Sequence, residues 1–337
     1  MKLRAGIVGL GLNWESRYLP ALRTLADRFE VRGICEQVAH RAERAARELN
    51  AIPVDGYRAL AARDDIDVIL CLSDQWYGVT PILAACDYGK AVYSAVSFPL
   101  DPAEAAMLRQ RVDASGIAFM AELPRRHAPA TIRLKELIAT RLGCPRMLFC
   151  HRRVAVEKHG AGPGEQGAES RDLMELVDWC GYVAGTPPTS VVAVRHADAK
   201  VPGIDDYQMM SLDFSPGGQT GSGCLAQISC GYYMPQQWEE AVTFRPPAAL
   251  QVACDHGIAF VDLPTSLVWF DTAGRHMESL ESDRPVGETM LAQFHRMVTS
   301  LVRHVSGLDD TLFAMQVVAA AAASQREGRR VPLEPAS

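Results

Sequence analysis

A chain of 337 residues, 48% hydrophobic and 22% charged, can bury a large core and divide into two domains. A net charge of −6 with scattered Lys and Arg gives no sign of nucleic-acid binding, and no apolar run reaches the ~18 residues that span a membrane. Nine cysteines without a Cys-x-x-Cys pair do not read as a disulfide framework, and Met1-Lys2-Leu3-Arg4 leads straight into a strand rather than a signal peptide, so the expected setting is cytoplasmic.

Met1–Glu36 carries the densest signal. Arg4 to Val8 is a short apolar run. Gly9-Leu10-Gly11 follows at once. Tyr18, Leu19, Leu22 and Leu25 then recur at helical spacing, and a second apolar run from Phe29 to Cys35 ends on Glu36. Strand, glycine turn, helix, strand, acid is the order of a dinucleotide-binding βαβ unit. Gly9 allows the tight turn. Gly11 lets the backbone approach a pyrophosphate at the helix N-terminus, where free N–H groups point. Leu10, Leu12 and Asn13 belong to the same turn. Glu36 is placed to accept from the adenosine ribose hydroxyls, and its charge opposes a 2′-phosphate, so NAD is expected over NADP. The third glycine position holds Trp14, which must point away or push the helix out.

Arg41 to Leu49 reads as a solvent-facing helix, Val54 to Tyr57 as a short strand or turn, and Tyr57 to Ala62 as the start of another helix. Val68 to Leu72 is a continuous apolar run typical of a strand buried on both faces. Ser73 and Asp74 close it, at the strand end where a doubly wound sheet holds its ligand. Pro81 to Tyr88 is helical, Ala91 to Tyr93 is a strand with Ser94 at its end, Pro102 to Val112 is helical, and Ile117 to Met120 is a sixth strand. Such alternation predicts a parallel sheet.

Several stretches together resemble the Gfo/Idh/MocA family, that of glucose–fructose oxidoreductase and inositol dehydrogenase. They are Gly6 to Gly11, Tyr18 to Leu22, Asp65 to Ile69, Gly89 to Tyr93, Pro99-Leu100, Arg125 to Pro129 with Leu134 to Ile138, and a tail from Met290 to Val331. The resemblance covers nearly the whole chain. It implies an α/β fold: an N-terminal Rossmann doubly wound parallel sheet over 1–123, and a C-terminal α/β domain with a large, mostly antiparallel sheet over 124–337. It also implies a small sugar-, polyol- or carbonyl-type substrate, and a homodimer or homotetramer formed through the open face of that second sheet.

In the second domain, Met147 to Val156 reads as a strand, and His159 to Gly167, with four glycines and a proline, as a loop. Leu173 to Val183 is an amphipathic helix. Val191 to Arg195, Gln208 to Phe214, Cys224 to Tyr232, Ala241 to Phe244, Leu250 to Ala253, Ile258 to Asp262 and Leu267 to Phe270 are strand candidates, joined as an antiparallel meander. Met290 to Val305 and Leu312 to Arg326 close the chain as helices, the second carrying an alanine run at 319–323.

Members of the resembled family carry a Glu-Lys-Pro motif after the fifth strand and Asp-x-x-x-His on the second domain's first helix. An alcohol proton must leave as the hydride does, so a group of tunable pKa is needed within hydrogen-bond reach. Here Phe98 stands at the lysine position, Glu175 at the histidine and Arg171 at the aspartate. Arg171 and Glu175, four apart on a helix, can pair as ions. The functional alternative makes Glu175 the base, with Arg171 or Lys158 holding an anionic or hydroxylated ligand. Asp172 is set aside, because one step turns it ~100° off that face. Tyr93 is a further acid candidate, with Ser73 and Ser94 beside the cofactor. Arg126 and His127 are candidates for substrate contact, and His151 and His159 flank the glycine-rich stretch. No His-x-x-x-His or Cys cluster suggests a metal. The sequence leaves two main readings, an NAD(P)-dependent oxidoreductase with a rearranged proton-handling site or a catalytically degenerate family member that binds a ligand or partner, and a third, a different reaction with bound NAD as a recycled cofactor.

Overall fold

The computed structural model describes residues 1–73, 77–95, 102–156, 165–197, 206–216, 219, 221–235, 247–280, 284–300 and 305–333. The chain forms two compact units. The first comprises Met1–Pro124 and Asp283–Leu312; the second comprises Arg125–Ser282 and Phe313–Ser337. The sequence reading draws one boundary at 123/124, whereas the chain returns to the first unit after the second has been laid down.

The first unit is built on β1 (Leu3–Val8), β2 (Phe29–Cys35), β3 (Ile52–Pro53), β4 (Val68–Cys71), β5 (Ala91–Ser94) and β6 (Phe119–Ala121). Their order is β6-β5-β4-β1-β2-β3, and every pairing is parallel. The Val-Ile-Leu-Cys run of β4 is buried at all four positions, as a strand covered on both faces requires. Between the strands lie α1 (Leu19–Thr24), α2 (Ala39–Leu49), α3 (Tyr57–Ala61), α4 (Thr80–Asp87) and α5 (Pro102–Ser115). Helix α2 buries Ala42, Ala45 and Ala46, one apolar stripe at helical spacing, and stops at Asn50 in the left-handed conformation. The expected strand at 54–57 lies slightly earlier, at Ile52–Pro53.

The second unit opens with α6 (Pro129–Leu137), β7 (Pro145–Val156) and α7 (Glu165–Ala184). Helix α7 begins eight residues before the Leu173 expected from periodicity, taking in Glu165 to Gly167 of the predicted loop. Then come β8 (Ser190–Ala197), β9 (Asp206–Asp213), β10 (Leu225–Pro235), β11 (Leu250–Cys254), β12 (Ile258–Asp262), β13 (Ser266–Asp271) and β14 (Gly274–Ser279). Helix α8 (Val286–Thr299) and β15 (Val305–Ser306) follow, and β15 joins the first sheet beside β6. The helix expected to run to Val305 therefore ends at Thr299. Helix α9 (Leu308–Glu327) and β16 (Val331–Pro332) close the chain.

The second sheet has the order β14-β13-β12-β11-β7-β10-β9-β8-β16. It consists of two antiparallel meanders joined by one parallel pair, β7 with β10, rather than a single meander. Strand β14 was not expected, and the candidate at 241–244 lies outside the described residues. One face buries Leu148, Cys150, Ile228, Leu250 and Val252 with Leu176 and Trp179 of α7. Alternation puts Val192, Val194, Met209, Leu225 and Met147 on the other face, exposed, with Val194 opposite Met209 and Leu225 opposite Met147. Among the described residues no helix is long and apolar enough to cross a membrane.

Candidate functional site

The parallel order of the first sheet brings Ser94, which ends β5, to one edge with the residues after β1, β2, β4 and β6: Gly9, Glu36, Leu72-Ser73 and Glu122. Gly9 and Gly11 both have left-handed φ, +68° and +65°. A Cβ on Gly11 would fall 2.3 Å from the Leu72 carbonyl oxygen, and one on Gly9 would fall 2.6 Å from Ser73 Cβ. Neighbouring strand ends thus require both glycines before any ligand is considered. Leu10 N–H donates to the Glu36 carboxylate at 2.8 Å, which holds the acid over the turn. Leu12, at the tip, is 89% exposed.

The Trp14 conflict is resolved locally. Trp14–Tyr18 winds as a π-helical turn, with Tyr18 N–H reaching the Asn13 carbonyl at 3.3 Å. That wider turn lets Trp14 enter the core, 4% exposed, instead of displacing the helix. Ser94 is 2% exposed, and its hydroxyl has no hydrogen-bond partner among the described residues. A buried donor left open at the sheet's carboxyl edge has the chemistry to take a polar ligand atom.

Behind the turn lies a network that the sequence reading did not find. Glu122, with 1% of its side chain exposed, accepts from Tyr18 Oη at 2.5 Å and from Tyr93 Oη at 2.9 Å, and pairs with Arg17. A Cβ on Gly287 would fall 2.6 Å from Arg17 Cγ, so α8 packs directly on the arginine stem. Tyr93 is fully buried against Phe294, and burial, with the Glu122 charge, pushes its hydroxyl well above the usual tyrosine range. As placed, Tyr93 is a core residue whose hydroxyl donates to Glu122.

In the second unit, charged residues gather on α7. Glu175 Oε1 accepts from Arg171 Nε at 3.3 Å, and its Oε2 lies 3.4 Å from Arg125 Nε. The ion pair expected from four-residue spacing is formed, with a second guanidinium added. Asp172, set aside on the helical wheel, faces β7 and accepts from Arg152 Nε at 2.7 Å. Burial raises the Asp172 carboxyl above the ordinary aspartate value against the pull of Arg152, and the Glu175 charge adds to the rise. Arg126 grips Asp178 with two guanidinium nitrogens and lies over the Tyr182 ring, 5.1 Å from its centroid. His127 ends a short helical turn at Pro124–His127; burial and then Arg126 lower its pKa. His151 Nδ1 meets Ser229 Oγ at 2.7 Å. Lys158, His159, Phe98 and Asp74 lie outside the described residues.

Comparison with known proteins places this geometry. Residues 3–122 match the model of the GFO_IDH_MocA oxidoreductase family, NAD-binding Rossmann fold. A search of curated proteins found no match. Solved structures match nearly end to end. An oxidoreductase from Thermotoga maritima has a TM-score of 0.81 at 17% identity, over 98% of each chain. An aldose–aldose oxidoreductase from Caulobacter crescentus, complexed with glycerol, has a TM-score of 0.78 at 16% identity, over 99% of this chain and 100% of that one. A myo-inositol 2-dehydrogenase from Lactobacillus plantarum has a TM-score of 0.75 at 16% identity, over the same shares. At such identities the likeness shows a common fold. The family match is confined to residues 3–122, in the first unit.

Proposed function

We propose that this chain is a member of the oxidoreductase family and an NAD-dependent dehydrogenase or reductase of a small sugar-, polyol- or carbonyl-type compound. The observation that carries the reading is the Gly9–Asn13 turn with Glu36 bonded to Leu10 N–H, together with the open Ser94 hydroxyl at the same sheet edge. These residues fit a dinucleotide: the turn takes the pyrophosphate, Glu36 the ribose hydroxyls, and Ser73 and Ser94 the remaining polar atoms. Bound NAD supplies the hydride acceptor. In this reading Glu175 receives the alcohol proton, Arg171 and Lys158 hold the substrate's oxygens, and Arg126 and His127 border the substrate. Asp172 is a second carboxyl on the same helix, with raised proton affinity.

The charge of the Glu36 carboxylate would oppose a 2′-phosphate and so favours NAD over NADP. Titration with NADH and NADPH tests this directly: micromolar binding with NADH preferred supports the reading, and binding of neither cofactor sinks it. Glu175→Gln should abolish turnover; an unchanged rate returns Glu175 to a purely ionic role. One observation favours a second reading, a ligand-binding member without turnover: both oxygens of Glu175 already face arginines. NADH binding with no turnover across a panel of polyols, sugars and their carbonyl counterparts would decide for it. The exposed apolar face of the second sheet supports a homodimer or homotetramer. Light scattering of Val194→Glu should then show dissociated chains.

A further inference from the structure

We infer that Tyr77 and Tyr57 form the wall against which an adenine ring stacks, beside Glu36. The inference rests on the cofactor reading above and extends it to two residues outside the glycine turn. Tyr77 stands in the loop between β4 and α4, where its carbonyl accepts from Thr80 N–H at 3.2 Å and from Thr80 Oγ1 at 2.5 Å. Its hydroxyl lies 3.7 Å from Sγ of Cys35, the last residue of β2 and the neighbour of Glu36. Tyr57, the first residue of α3, meets the Tyr77 ring edge-to-face, with centroids 5.4 Å apart and planes at 69°. Both rings are half-buried, so part of each stays exposed beyond their mutual contact.

The chemistry of the ligand connects these facts. An acid at the end of the second strand takes the hydroxyls of the adenosine ribose. The adenine is bonded to that same ribose, so an aromatic ring near Glu36 is within reach of the base. The Tyr77 hydroxyl feels the charges of Glu36 and Asp55, which places it in that neighbourhood. Among the described residues its partner is a thiol, a weak hydrogen-bonding group, so the ring is not locked by that contact. Tyrosine offers a large flat face and only two side-chain torsions to order, and base–aromatic stacking tolerates any heterocycle with a π face.

The test is calorimetric titration of the full chain with ADP-ribose and nicotinamide mononucleotide, in wild type, Tyr77→Leu, Tyr57→Leu and Tyr77→Phe. Tyr77→Leu should weaken ADP-ribose on the order of tenfold and leave the mononucleotide unchanged. Tyr57→Leu should weaken it less. Tyr77→Phe keeps the ring and should bind like wild type, which separates stacking from the bond to Cys35. Thermal unfolding of each variant verifies the fold, and Tyr57→Leu carries the test if Tyr77→Leu does not fold, wild-type ADP-ribose binding by it then overturning the inference. Wild-type or tighter ADP-ribose binding by Tyr77→Leu overturns the inference while leaving the cofactor reading intact. Failure of the wild type to bind NADH or ADP-ribose overturns both.

Discussion

Glu122 and Asp172 are both carboxylates packed against an arginine, yet their surroundings oppose each other. Glu122 has 1% of its side chain exposed and receives two tyrosine hydroxyls and the Arg17 guanidinium. Asp172 has 16% exposed and, among the described residues, accepts from Arg152. A buried carboxylate held by three donors is a fastener, because most of the hydrogen bonds it lost on leaving water have been replaced. A carboxylate with fewer donors keeps part of its desolvation penalty and holds its proton more readily. The difference teaches where to look for chemistry: at the incompletely satisfied acid, not at the most deeply buried one.

The comparison breaks first at Glu122. Glu122→Ala leaves Arg17 and two tyrosine hydroxyls without their acceptor, and should cost about 3 kcal/mol, near the low end for a buried pair because Arg17 is partly exposed. Urea denaturation measures it, and a loss below about 1 kcal/mol would deny the fastening role. Gly11→Ala comes next. Its Cβ would meet the Leu72 carbonyl, so the turn must shift, and NADH affinity should fall at least ~10-fold in a fluorescence titration.

Asp172 gives a smaller effect with a definite sign. Its folded pKa is raised, so the folded state binds more protons than the unfolded state as pH climbs from about 3.9 through the folded value. Its contribution to stability is therefore complete at low pH and falls across that window. Asp172→Asn should flatten this part of the pH–stability curve; a parallel curve would show that Asp172 is not the source. The smallest effect belongs to an exposed pair. Arg44→Ala removes contacts to Glu48 and Glu15 and should change stability by no more than about 0.5 kcal/mol.

These contrasts also mark how far the sequence could be read. The glycine turn and Glu36 were legible because their geometry depends on local order: strand, two glycines, helix, strand, acid. Trp14 was legible as a conflict but not in its resolution, since a π-helical first turn leaves no separate mark in the residue pattern. Glu122 was not legible. Its tyrosine partners lie 104 and 29 residues away, and only the folded sheet brings them together. The partner of Asp172 was not legible for a related reason. A helical wheel gives the angle between two side chains but not which of them faces β7. Strand β14, Gly-Arg-His-Met-Glu-Ser, carries few β-branched or aromatic residues and forms because β13 offers it an edge. The parallel β7–β10 pair is likewise a matter of chain path, which strand periodicity does not encode.

The return of Asp283–Leu312 to the first unit has a consequence for biosynthesis. Met290, Leu291 and Phe294 of α8 complete the core that holds Trp14, Tyr18 and Tyr93, and β15 covers the edge of β6. On the ribosome, strands β1 to β6 are therefore made before the helix that completes their core. At about 5–20 residues per second, many seconds pass before the missing helix arrives. Through that interval the apolar floor of the nucleotide domain is a surface that chaperones can recognise, and the second unit has the chance to fold before the first can close.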